Sequence, residues 1–458
     1  MNEMHVDGAV IGFGKGGKTL AVFLANQGMQ IALIEQSQDM YGGTCINIAC
    51  IPSKALALAA EAGMGRHFTT FEEQAAYYQE ALYTKGQLTS FLRQKNYANV
   101  NNNPHAQVID GKVSFLSPHE MHVKLSASDE DLLVYAENIF INTGTFPAMS
   151  PIAGLTESKR VYNSTSLMEL QSLPRELVVI GSGHVGLEFA SIYTGFGSRV
   201  TVIARSAALL PGYDREIAEL VQHTMEQRGI QFRFHSTVQQ VQDRDKHTSV
   251  TLSDGVEIAT DAILLAVGRT PVTKDLALEK AGVAMDERGF IKVDEFLRTT
   301  TPNIWALGDV NGGPQFTYIS LDDFRIVREQ FVAGKQHSRL DRRNVPSSLF
   351  IEPTLSHAGL TTEEAQAQGY EVKVAKLPAA GIPRAQQLQQ TDGLLKAVVD
   401  AQTGHILGCT LFCADSSEVI NTVSMAMNAG LDYTVLRDTI FTHPSMSETL
   451  NDLFTLVK

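Results

Sequence analysis

The feature that most restricts how this chain can fold is a strand, Gly-rich turn, helix and second strand that occurs twice. The first copy reads Gly8-Ala9-Val10-Ile11-Gly12-Phe13-Gly14-Lys15-Gly16-Gly17-Lys18-Thr19, with its second strand at Gln30-Ile31-Ala32-Leu33-Ile34-Glu35. In such a unit Gly12 makes the tight turn, Gly14 lets a pyrophosphate approach the backbone, and Gly17 lets helix pack on strand. Glu35, at the end of the second strand, is placed to bond ribose hydroxyls. The second copy runs from Glu176 to Glu188 with Gly181, Gly183 and Gly186, followed by the strand Arg199–Arg205. Two fingerprints imply two dinucleotides. In the second copy Ala204 replaces the terminal acid and Arg205 follows. A guanidinium attracts a 2′-phosphate, so NADPH is expected there in preference to NADH.

Cys45 and Cys50 lie just beyond the first unit, in Gly42-Gly43-Thr44-Cys45-Ile46-Asn47-Ile48-Ala49-Cys50-Ile51-Pro52-Ser53-Lys54. Cys50 leads into an Ala- and Leu-rich stretch with Pro in its first turn, a helix start. A thiol at a helix N-terminus meets unpaired N–H groups and the positive end of the dipole, which favour the thiolate. The pair therefore reads as a flavin-coupled redox dithiol. The alternatives are buried thiols or half of a metal site, but the only other cysteines, Cys409 and Cys413, sit in an apolar segment that reads as a buried strand. Four cysteines in 458 residues are too few for a disulfide-stapled secreted fold, so a reducing compartment is expected.

The length suggests two to four domains, and 44% hydrophobic with 19% charged residues suits a protein with large cores. A formal charge of −13 argues against nucleic acid or an anionic membrane as a partner. No apolar run is read as transmembrane, and the acidic N-terminus runs directly into a strand. These observations lead to the expectation of a cytoplasmic enzyme.

Three short segments extend the cofactor reading. Ile139–Thr145 and Ile263–Pro271 each end a buried strand in a Gly turn, at Gly144 and Gly268, as at a crossover between nucleotide domains. Thr299–Asp309 sets Asp309 after a strand and a glycine, where it can bond a polyhydroxyl chain such as the ribitol of FAD. With Gly43, Thr44, Thr143 and Arg269 these residues complete the expected cofactor contacts. Near the C-terminus His443 precedes what reads as a Pro-opened helix carrying Glu448, an acid able to orient the imidazole and raise its basicity.

Taken together, these motifs make nearly the whole chain resemble the class I pyridine nucleotide–disulfide oxidoreductases, the group of dihydrolipoamide dehydrogenase, glutathione reductase and mercuric reductase. The resemblance implies an α/β fold of two nested Rossmann-like domains followed by a C-terminal α+β dimerisation domain. FAD would be bound by 1–150 and 271–340, NAD(P)H by 151–270, and the dimer would form through 341–458. It further implies that Cys45 is the interchange thiol, that Cys50 lies against the flavin, and that Lys54 and Glu188 form an ion pair beside flavin and nicotinamide. His443 and Glu448 would be the acid–base pair given by the other subunit, hence a homodimer. Met40–Ile48, Gln315–Arg328 and Phe441–Lys458 resemble more narrowly a bacterial flavoprotein of reactive-chlorine resistance that reduces copper(II). The expected acceptor is then copper(II), held transiently by Cys45 and Cys50, because soft thiolates stabilise copper(I). Met425, Met427 and Met446 are candidate additional thioethers, although methionine at such spacing is more often core. A mercuric reductase would carry a C-terminal cysteine pair, whereas this chain ends Leu456-Val457-Lys458. A reductase of organic disulfides is the rival reading, and a redox-sensing flavoprotein of little turnover the third.

Overall fold

The computed structural model describes residues 2–128, 130–334 and 336–458. The chain divides into two compact units, one of Met1–Leu56, Glu80–Met149 and Gly268–Asp341, the other of Ala57–Gln79, Ser150–Val267 and Arg342–Lys458.

In the first unit Asn2–Ile11 runs parallel to Ile31–Glu35 on one side and to Asp131–Ile141 on the other. Ala106–Phe115 extends the sheet beyond Ile31–Glu35, and Ile304–Ala306 extends it beyond Asp131–Ile141, both parallel. Glu120–Leu125 is antiparallel to its two neighbours, Ala106–Phe115 and Asp131–Ile141. A parallel strand is covered on both faces and so must be apolar throughout. Ile31–Glu35 obeys this, being buried at every position, including the acid.

The second unit contains the second nucleotide fold. Its parallel sheet runs in the order Gln231–Arg233, Arg199–Ile203, Glu176–Ile180, Ala262–Leu265, Val161–Tyr162. The C-terminal part is a five-stranded antiparallel sheet ordered Ser347–Leu349, Leu355–Gly359, Ile406–Phe412, Leu394–Asp400, Val372–Pro378. The helices Ser416–Asn428 and Thr449–Thr455 contribute Val419, Val423, Leu450 and Phe454 to its core. Cys409 and Cys413 are buried there, and burial pushes both thiols up, Cys413 to about 12.

Two sequence expectations need correction. Gly43–Met64 is long and apolar enough, by length and composition, to cross a membrane. The segment is interrupted at Ile48, which caps the short helix Gly43–Asn47 before the helix Cys50–Met64 begins. Leu56 and Ala60 on the second helix are core residues. Pro444 does not open a helix: the last helix begins at Thr449, with Glu448 as its N-cap. The reason is local, since the Ser445 hydroxyl accepts from the Glu448 N–H and donates to the Thr442 carbonyl, closing a turn first.

Candidate active site

The redox segment is built from the backbone outward. Gly42 takes φ +98° and starts the helix that carries Cys45. Asn47 closes this turn on itself, its amide donating to the carbonyls of Tyr41 and Gly43, both at 3.0 Å. The long helix Phe71–Asn101 then grips the loop through neighbouring positions on one face. Arg93 donates to Asn47 Oδ1 and to Asp39, each at 2.9 Å, Asn96 accepts from Lys18 Nζ, and Tyr97 stacks on Tyr41 at 4.8 Å. Lys18 also donates to the Gly42 carbonyl at 3.3 Å. Burial and the neighbouring Lys15 lower its pKa to about 8, against the opposing pull of Cys45.

Cys50 is the first residue of its helix, and its sulfur lies 3.6 Å from the hydroxyl of Thr317, which begins the helix Thr317–Arg328. Cys45 and Cys50 are both free thiols and lie close enough to act on each other. The neighbouring Cys50 is the largest cause pushing the Cys45 thiol up, followed by burial, while Thr317 and Lys18 oppose it. Two adjacent sulfurs do not readily both ionise, which is the direction in which Cys50 acts on Cys45. The helix terminus that favours a thiolate is the one at Cys50.

Asp309 and Arg269 are linked through one threonine. Arg269 donates to the Thr145 hydroxyl at 2.7 Å and to its carbonyl at 2.8 Å, and that hydroxyl donates to Asp309 at 3.1 Å. Burial lifts the Asp309 carboxyl, and the Arg269 guanidinium feels the field of both Asp309 and Cys50. Thr143 donates to the Val272 carbonyl at 2.7 Å, pinning the Gly144 turn. Glu35 accepts from the N–H groups of Phe13 and Gln36 at 2.9 Å and of Ser37 at 3.3 Å, so it also braces the Gly-rich turn.

The residues present fit the two dinucleotides. Gly12 and Gly181 occupy φ +99° and +113°, and a Cβ on either would collide with the carbonyl of Asn142 or Ala266. Both following helices begin at a glycine, Gly14 or Gly183, with no side-chain cap, and the space beside Gly183 is open. That is the cradle a pyrophosphate requires. Gly17 donates its N–H to Asn142 Oδ1 at 2.9 Å, and Gly186 lies against Val179 on the preceding strand. Arg205 is exposed just beyond the strand Arg199–Ile203.

In the second unit Glu188 is buried and accepts from the Phe350 N–H at 3.0 Å. His443 Nδ1 and Glu448 pair at 2.8 Å, with the imidazole side chain 73% exposed and the carboxylate 19% exposed. Lys54 lies on the first unit's portion of the Cys50–Met64 helix. Met427 and Met446 are buried in the C-terminal core, while Met425 is exposed. Among the described residues no group of three or more His, Cys, Asp or Glu is arranged to hold a metal ion. Sequence reading missed Thr317, Lys18, Arg93, Asn96, Tyr97 and the bracing role of Asn142. Lys18, in the first turns of a helix that is apolar from Leu20 to Ala25, was the one signal available.

Residues 6–323 match the pyridine nucleotide-disulphide oxidoreductase family, and residues 345–454 match the dimerisation domain of that family. The chain belongs to the pyridine nucleotide–disulphide oxidoreductases and is an enzyme of that class, a flavoprotein whose cofactors are FAD and NAD(P)H. It is 46% identical over 449 residues to the probable pyridine nucleotide-disulfide oxidoreductase RclA of Escherichia coli (strain K12), covering 98% of each chain. It is 33% identical to the mercuric reductase of Lysinibacillus sphaericus, covering 98% of this chain and 82% of that one. The dihydrolipoyl dehydrogenase of Bacillus subtilis (strain 168) is 30% identical, covering 97% and 95%. The structure described as the Cu(II) complex of the HOCl-induced flavoprotein disulfide reductase RclA from E. coli superposes with a TM-score of 0.94 at 46% identity, over 100% of both chains.

Proposed function

We propose that this enzyme uses NAD(P)H and FAD to reduce the Cys45–Cys50 disulfide, and that the resulting dithiol reduces copper(II) to copper(I) in defence against reactive chlorine. The observation that carries the reading is the pair of neighbouring free thiols beside Thr317, in a chain closely similar to one solved with Cu(II). FAD, when bound, supplies hydride chemistry that links the nicotinamide to the disulfide. The disulfide takes up two electrons and two protons, and its re-oxidation passes one electron to each of two Cu(II) ions and releases the two protons. Cys45 is the sulfur offered to the acceptor, and Cys50, at the helix terminus and within the field of Arg269, is the one that holds negative charge.

In this reading FAD is held by 1–150 and 271–340 through Gly12, Gly14, Gly17, Glu35, Gly43, Thr44, Thr143, Gly144 and Asp309. NAD(P)H is held by 151–270 through Gly181, Gly183, Gly186 and Arg205, with Gly268 and Arg269 at the crossover. Lys54 and Glu188 form the ion pair between the two cofactors. The 341–458 region makes a cytoplasmic homodimer in which His443 and Glu448 serve the partner's dithiol. The exposure of His443 in the single chain supports that last role.

A second reading, reduction of an organic disulfide, is favoured by the short His443–Glu448 pair, because such a substrate releases a thiolate that needs a proton. The two are separated by giving the anaerobic enzyme NADPH with Cu(II), Hg(II), lipoamide and oxidised glutathione in parallel. Turnover is expected to be fastest with Cu(II), and faster turnover of lipoamide or glutathione would overturn the copper reading.

Arg205 gives a further test. Arg205→Ala is expected to weaken NADPH more than NADH by about 1–3 kcal/mol, the size of a charge-assisted hydrogen bond. Equal losses for both nucleotides, measured by titration of the holoenzyme, would remove Arg205 from the 2′-phosphate site.

A further inference from the structure

Away from the redox groups, three helices end, within the second unit, at one cavity of about 390 Å³. Met64, Gly195 and Gln227 are the last residues of the helices Cys50–Met64, His184–Gly195 and Arg215–Gln227, and each end lies at or beside this space. Its size falls within the range of small-molecule sites. Phe68 and Met225 give it an apolar wall, and Arg66 and Arg228 bring two positive charges.

Arg228 is unusual in its bonding. Its guanidinium lies 3.8 Å from Glu352 and 3.6 Å from Asp392, charge pairs too long to be hydrogen bonds. The hydrogen bond found for it goes to the Met64 sulfur at 3.7 Å, a weak acceptor. A guanidinium presents five donors, so most of this one's capacity faces the cavity unused. Arg66 rests on the Tyr77 ring, 4.4 Å from its centroid, which fixes its plane without occupying its N–H groups. Thr194 also lines the cavity, but its hydroxyl is closed off from it, so the charge of an incoming anion falls to the two guanidiniums.

We infer that this cavity is a binding site for a small organic anion, a carboxylate or sulfonate on an apolar body, with Arg66 and Arg228 taking the charge and Phe68 and Met225 the body. The negative ends of three helices oppose an anion, and the two guanidiniums answer them. Glu352 is the competing anion already in place. The groups that face it are Glu61, Asp392 and Arg228, and burial together with the two acids pushes its carboxyl up to about 7, against the pull of Arg228. Gln390 donates to Glu61 at 2.6 Å and holds that acid in position. Protonation of Glu352 removes the competition, so an anion binds more tightly below pH about 7 and more weakly above it. The inference is independent of which acceptor the dithiol reduces.

The test is calorimetric titration of the holoenzyme with anilinonaphthalene sulfonate, and with phenylnaphthylamine, which has the same body without the charge. The sulfonate is expected to bind at one site per chain, and Arg66→Gln and Arg228→Gln are each expected to weaken it about tenfold or more, the effect of a lost charge-assisted bond. Glu352→Gln should do the reverse, tightening binding at pH 8 and abolishing its pH dependence. A gain of affinity cannot come from a misfolded variant. Equal binding of the uncharged compound, unchanged affinity in both arginine variants, or no gain in Glu352→Gln would each overturn the inference.

Discussion

Cys45→Ser is expected to leave FAD bound while lowering NADPH-dependent copper(II) reduction by on the order of 10³-fold or more, as loss of a covalent nucleophile does. A serine hydroxyl occupies the same space, but it forms no disulfide and gives up no electrons. Cys45 is the sulfur offered to the acceptor in this account, with Cys50 beside it to close the disulfide. Cys50→Ser should be equally inactive for a different reason: the remaining Cys45 has no partner sulfur to close the disulfide. The fold should survive both changes, because the segment is held by Asn47, Arg93 and Tyr41 and not by the sulfurs. FAD content and melting temperature check that point, and anaerobic turnover checks the rest. Full copper reductase activity in both variants would mean that the dithiol is not on the electron path.

His443→Ala is expected to separate the two classes of acceptor. An organic disulfide releases a thiolate when it is reduced, and protonating it is worth about 10²–10⁴-fold, so activity on lipoamide should fall by that factor. Copper(II) takes an electron and releases no thiolate, so its reduction should fall much less, through slower proton release as the dithiol re-oxidises. The imidazole is held by Glu448 at 2.8 Å, which fixes the ring nitrogen that faces the carboxylate. Glu448→Gln should therefore reproduce a weaker version of the same split. Steady-state rates on the two acceptors measure it, and a loss on copper as large as that on lipoamide would place a protonated leaving thiol in the main reaction.

What could be read from the chain was local in sequence. The two Gly-rich turns announce themselves because strand, turn and helix lie within about a dozen residues, and the same is true of Cys45, Cys50 and the helix after them. The surroundings of the thiols were not legible, since their contacts are distant: Thr317 is 267 positions from Cys50, and Asn96 is 78 from Lys18. No periodicity marks Arg93, Asn96 and Tyr97 as a clamp, because the Phe71–Asn101 helix is polar over much of its length and its faces are told apart only once the loop is beside it. Cys45 shows the same limit in electrostatics. A helix terminus can be read from Pro52 and the alanines, but the effect of one sulfur on the other, which raises the outer thiol, needs both in place. The tail was misread at Pro444, where a serine turn took precedence over the helix-start signal.

The dithiol's place on the path to copper is tested most directly by counting thiols and copper(I) together. The enzyme, reduced anaerobically with NADPH and freed of excess, is mixed with Cu(II), quenched at intervals with an alkylating agent, and mapped by mass spectrometry while copper(I) is measured by a chelator. Copper(I) is expected to appear in step with the loss of alkylatable Cys45 and Cys50, two ions for each disulfide formed, with Cys409 and Cys413 unchanged. Copper(I) accumulating while Cys45 and Cys50 stay fully alkylatable would contradict the proposal and move the electron exit away from the thiols.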